Sequence, residues 1–146
     1  MLTGISGHHM DRLQFILNAA AQLVFFVRRS NHITPLLYEL HWLRVSWLIQ
    51  FRLCVLAYCC FHDTVPAYLA ERLHLTTDVL ARCRLRFADS RTLLVPPIRR
   101  SSPGDRAFPV AVPSAWNKLP SSVRTAASLP VFLHDLKTLL FQLPFD

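Results

Sequence analysis

Two groupings of side chains in this sequence have the chemistry to hold a ligand. The first is Cys54, Cys59, Cys60 and His62, with Cys83 farther along the chain. These are zinc-binding types, but zinc sites set their ligands in two pairs, with two to four residues inside each pair. Cys59 and Cys60 are adjacent, and on a helix neighbouring side chains point about 100° apart. The cluster therefore reads as reduced thiols packed in a core, with no metal bound. A disulfide framework also spreads its cysteines along the chain, whereas three of these four share one apolar run. Reduced thiols point to an intracellular setting and leave nuclear against cytoplasmic residence open. The seven histidines stand in no recognisable Ser–His–acid motif, so the expectation is a protein that is not an enzyme and needs no cofactor.

The second grouping is basic. Arg82, Arg84, Arg86, Arg91, Arg99, Arg100 and Arg106 fall in one short region, opposed only by Asp89 and Asp105. Arg82, Arg84 and Arg86 alternate, and on a strand they would project from one face as a row able to follow a phosphate backbone. The whole chain has 16 Lys+Arg against 9 Asp+Glu, a net charge of +7. Only Lys118 and Lys137 are lysines. Guanidinium forks grip phosphate in pairs of hydrogen bonds and stack on bases, so the expected partner is RNA or DNA rather than a small-molecule substrate. The competing reading is a solvated basic edge that discourages strand pairing.

The elements that must position these residues are mostly helical. At 146 residues the chain suits one modest domain. Its hydrophobic fraction is 52% and its mean hydropathy +0.29, enough for a core with apolar surface left exposed for a partner. Residues 1–9 read as a loose leader, and 10–76 as a helical half. There Leu13, Ile16, Ala20, Leu23 and Val27 recur at helical spacing, and Ala19, Ala20 and Ala21 invite the close approach of another helix. Thr34-Pro35 and Ser46 read as starts of the second and third helices, and Pro66 as the start of a fourth. The third, apolar on most of its circumference, should be central. Arg52 and Gln50 in its middle argue against a membrane span, and no signal peptide is evident. Residues 77–127 read as an irregular basic segment with short strands at Arg84–Ala88, Thr92–Val95 and Ala107–Val112; residues 128–146 read as a closing helix capped by Ser128. The expected fold class is thus a mainly helical α+β domain: an N-terminal helical bundle, short antiparallel strands in the basic segment, and a C-terminal helix.

A longer pattern runs through the chain. It includes Leu13-Gln14, Asn18-Ala19-Ala20-Ala21, His32-Ile33-Thr34-Pro35-Leu36-Leu37 and Leu40-His41-Trp42-Leu43. It continues with Pro66-Ala67-Tyr68-Leu69, Gly104-Asp105-Arg106-Ala107-Phe108 and Pro113-Ser114-Ala115-Trp116-Asn117-Lys118-Leu119-Pro120. It closes with Ser128-Leu129, Phe132, Leu136-Lys137-Thr138 and Leu140-Phe141. In order and spacing, residues 13–141 resemble the C-terminal tail of the reverse-transcriptase polyprotein of LINE-type (non-LTR) retrotransposons. The resemblance implies a tail lying beyond the endonuclease and polymerase domains, contacting nucleic acid or docking on the missing polymerase. Phe87-Ala88-Asp89-Ser90 is similar to a polymerase box, but Ser90 stands where a second carboxylate is needed to hold two metals. His41, Trp42, Tyr68, Trp116 and Asn117 are expected to be structural anchors. The family usually has Pro where Arg44 stands, and often a basic residue where Gln22, Leu48 and Cys59 stand. Those departures fit an alternative expectation, a decayed relic or packing module with no independent activity.

Overall fold

The structure is a computed structural model that describes residues 7–62, 64–76, 91–96 and 108–143. Among them are seven helices: α1 (Gly7–Val24), α2 (Ile33–Glu39), α3 (Val45–Phe61), α4 (Ala67–Ala70), α5 (Phe108–Asn117), α6 (Ser121–Arg124) and α7 (Leu129–Gln142). No helix among them is long and apolar enough to cross a membrane.

The α3 helix is the hub. Its sequence is apolar on nearly every side, so no single face can satisfy it, and α1, α4, α5 and α7 all pack against it. Cys54 and Ala57 are fully buried on α3, and Ala115 is buried on α5. Small side chains of this kind let two helices approach closely, and α3–α5 is the most extensive pairing. The larger residues fill the remaining space. Tyr58 stacks on Phe132 of α7 with ring centroids 4.5 Å apart. Phe61 and Phe132 both meet Trp116, at 5.1 and 5.8 Å. The Tyr58 hydroxyl donates to the Ala126 carbonyl at 3.3 Å, so its polar end is satisfied inside the core.

Polar residues on α1 secure its docking. Gln14 Oε1 accepts the backbone N–H of Val45 at 2.9 Å, and Gln14 Nε2 donates to Asn18 Oδ1 at 2.7 Å. Val45 is the first residue of α3, whose opening N–H groups have no intrahelical acceptor. A side chain from α1 therefore does the work of a cap. Ala21 is fully buried on the same side. The opposite side of α1 is apolar and open, with Phe15, Ile16, Leu23 and Val24 all more than half exposed.

Two helices end on a residue in the left-handed region. After α1, Phe26 has φ 52°; its N–H donates to Leu23 O, and Val27 N–H to Gln22 O. After α2, His41 has φ 54°; its N–H donates to Tyr38 O, and Trp42 N–H to Leu37 O. Both are Schellman endings, a position that favours glycine. In the second, Trp42 and the fully buried Leu37 occupy the two positions that this motif often fills with apolar residues. The Leu40-His41-Trp42-Leu43 stretch is therefore a helix stop.

The α+β expectation is overturned: among the described residues there is no strand or sheet, only an isolated antiparallel bridge between Leu75 and Leu93. Of the three expected strands, Thr92–Val95 contributes that one bridge, and Arg84–Ala88 lies outside the described residues. The third is helical from Phe108 onward. Its residues fit two periods at once. Phe108, Val110 and Val112 alternate as a strand would, while Phe108, Val112, Ala115 and Trp116 follow helical spacing. Both sets are buried, and Ala115 and Trp116, which continue only the helical one, decide it despite Pro113 inside α5. Smaller corrections concern boundaries. Gly7 to His9, expected in a loose leader, are the first residues of α1. The cap positions of α2 and α3 fall on His32 and Arg44, two residues before Thr34 and Ser46. Ser128 is at the cap position of α7 but makes no side-chain capping bond.

Phe132→Ala removes the ring that joins Tyr58 to Trp116. It should cost about 3–5 kcal/mol in denaturant unfolding, whereas Val131→Ala, on the exposed face of α7, should change stability by about 0.5 kcal/mol or less.

Candidate nucleic-acid interface

Six of the seven arginines singled out in the sequence lie outside the described residues: Arg82, Arg84, Arg86, Arg99, Arg100 and Arg106. The seventh, Arg91, opens the described stretch 91–96 that stands in sequence between the two arginine-bearing runs. A dense set of hydrogen bonds fastens this stretch to the helical body. The Asn117 side chain behaves as a neighbouring strand would: its Oδ1 accepts Leu93 N–H at 3.0 Å, and its Nδ2 donates to Leu93 O at 2.8 Å. Next to it, Trp116 Nε1 donates to Arg91 O at 2.7 Å. On the other side, Leu94 N–H donates to His74 O at 2.7 Å and Thr76 N–H to Thr92 O at 2.9 Å. Leu93 itself is 1% exposed in the core.

Two guanidinium groups complete the fastening. Arg91 Nη1 donates to the Arg124 carbonyl at 2.9 Å, and Arg124 Nη1 donates to Thr92 Oγ1 at 3.0 Å. Arg124 is buried at the end of α6. Arg91 thus spends one donor on structure, and a guanidinium has five. Sequence reading missed Arg124 and Thr92, because a contact across 32 residues leaves no local signal.

The expected anchors divide. Trp116 is fully buried, and Asn117 is bound to Leu93 as described. Trp42 is half-buried behind the α2 stop, while His41 is exposed, with its Nδ1 3.2 Å from the Glu39 carbonyl. Tyr68 is 66% exposed on the single turn of α4, so it does not act as a packed anchor.

Cys54, Cys59 and Cys60 are free thiols, and Cys83 lies outside the described residues. Burial pushes the Cys54 thiol up to about 12. Cys60 is also raised, by burial first and by neighbouring Cys59 second. Neutral thiols are poor nucleophiles and poor metal ligands. Among the described residues no three His, Cys, Asp or Glu side chains come together as a metal site.

No family model, no curated protein and no solved structure matches the chain.

Asn117→Ala leaves Leu93 N–H and C=O without their partners. It should cost about 2–4 kcal/mol and speed hydrogen exchange at the Leu93 amide before that of α3. The Cys54 shift has a definite sign. Its folded value lies above the ordinary 9.0, so its stabilisation is complete below pH 9 and is lost as pH rises towards 12. Between pH 8 and 11 the native chain should lose about 2–3 kcal/mol more than Cys54→Ala, read from paired denaturant titrations.

Proposed function

We propose that this chain is a non-catalytic tail fragment of a retroelement reverse transcriptase, and that its arginine-bearing runs hold nucleic-acid phosphates. The observation that carries the reading is the role of Trp116 and Asn117. They form the centre of the Pro113–Pro120 octet on which the resemblance leans most, and they bind the backbone of Arg91 and Leu93. These two residues of the octet therefore fix the short stretch that stands in sequence between the two basic runs. A tail that must present guanidinium groups to a polyanion needs such a fixed point. The net charge of +7 supplies the attraction. No role here calls for a metal, a cofactor or a small-molecule substrate.

One observation favours a second reading. Phe15, Ile16, Leu23 and Val24 leave one face of α1 apolar and open, as expected of a packing module or a decayed relic separated from a polymerase domain.

Gel-shift titrations of RNA and DNA at two salt concentrations separate the two. The phosphate-binding reading expects affinity to fall steeply with salt. Replacing Arg84, Arg86, Arg99 and Arg100 by Ala should lower the salt slope by about one per arginine that contacts phosphate. Binding that survives the fourfold replacement, or shows no salt dependence, rejects it. A chain that binds neither nucleic acid and self-associates until Ile16 and Leu23 are both changed to Lys supports the packing reading.

A further inference from the structure

We propose that two adjoining hollows between α7 and the turn from α2 to α3 form a site for one nucleotide unit, with the base in one and the phosphate in the other. The first hollow, about 340 Å³, is walled mainly by Leu17, Trp42, Leu48 and Phe51. The second, about 540 Å³, sets His41, His134 and Lys137 among the rings of Tyr38 and Phe141. His41 and Lys137 line both, so a ligand reaching from one to the other passes between them.

The chemistry of the walls selects the ligand. Trp42 and Phe51 offer aromatic faces, on which any nucleobase can stack. The second hollow gathers an ammonium and two imidazoles, together with Thr138 and Gln142, and no carboxylate lines either hollow among the described residues. Three nitrogen-bearing side chains suit an anionic ligand, and a phosphate, with three terminal oxygens, can engage all of them at once. Lys137 is held in place over the Phe141 ring, 5.8 Å from its centroid, and the Tyr38 hydroxyl donates to the Phe141 carbonyl at 3.0 Å, steadying the wall. His41 adds a further sign. It occupies the left-handed helix-stop position where glycine would be easier, and its imidazole lies on the walls of both hollows. None of these residues belongs to the arginine-bearing runs, so this site stands or falls apart from the phosphate grip proposed above.

The test uses the full chain and calorimetric titration with uridine 5′-monophosphate, uridine, inorganic phosphate, laurate and decauridylate. Uridine 5′-monophosphate should saturate and should bind more tightly than either uridine or phosphate. Lys137→Gln should weaken it about tenfold, the loss expected for one charge-assisted contact, and should weaken uridine, which carries no phosphate, far less. His41→Gly should weaken it by a similar factor without lowering the melting temperature, because glycine relieves the backbone at that turn. If the decauridylate loses affinity with the same two variants, the physiological source is a strand; if only the mononucleotide does, it is a free nucleotide. Either result supports the site. Equal binding of phosphate and mononucleotide, tighter binding of laurate at the same residues, or no saturation by about 10 mM mononucleotide overturns it.

Discussion

The two hydrogen bonds between the Asn117 side chain and the backbone of Leu93 are the constraint on which the second half of the molecule depends. An extended stretch of chain carries a donor and an acceptor on each residue, and burying it without partners is costly. Usually a sheet supplies them. Here the described residues make one bridge, Leu75 to Leu93, and an amide at the end of α5 completes the pairing from the other side. Asparagine suits the task because it presents both an acceptor and a donor at a spacing close to that of a peptide group. Trp116, one residue earlier, reaches the Arg91 carbonyl while its rings sit in the core. One short sequence thus joins the hydrophobic centre to the tethered backbone.

The same economy of means appears at the other end. Gln14 acts from α1 as the acceptor that α3 lacks, which explains why a polar residue stands on the side of α1 that docks. Aromatic contacts among Tyr58, Phe61, Trp116 and Phe132 then lock α3, α5 and α7 together. Dispersion among these rings supplies packing, while the polar contacts choose register, since each is satisfied only in one arrangement.

Much of the helical organisation was legible in the sequence, and the reasons differ by element. The closing helix showed itself through Phe132, Leu136 and Leu140, all on one face and all buried. The central place of α3 followed from its lack of a polar side. The α5 helix was hidden because Phe108, Val110 and Val112 satisfy a strand period and two prolines argue against a helix. Only the tertiary burial of Ala115 and Trp116 resolves that ambiguity. The helix stop at His41 was hidden too, since no glycine marks it. Of the site, the importance of Trp116 and Asn117 was readable as a motif, but their partners in residues 91–96 were not, because pairing across 24 or 25 residues has no local signature.

The ending of α1 carries a practical consequence. Phe26 sits where the backbone turns left-handed, and the residue is 93% exposed. That residue pays twice, in torsional strain and in wetted hydrocarbon, and gains no visible burial in return. Asparagine tolerates the same torsion and would put an amide in water instead. Recombinant preparations carrying that exchange would begin with a relaxed hinge and one less adhesive spot, making them the natural starting material for solution work on the rest of the molecule.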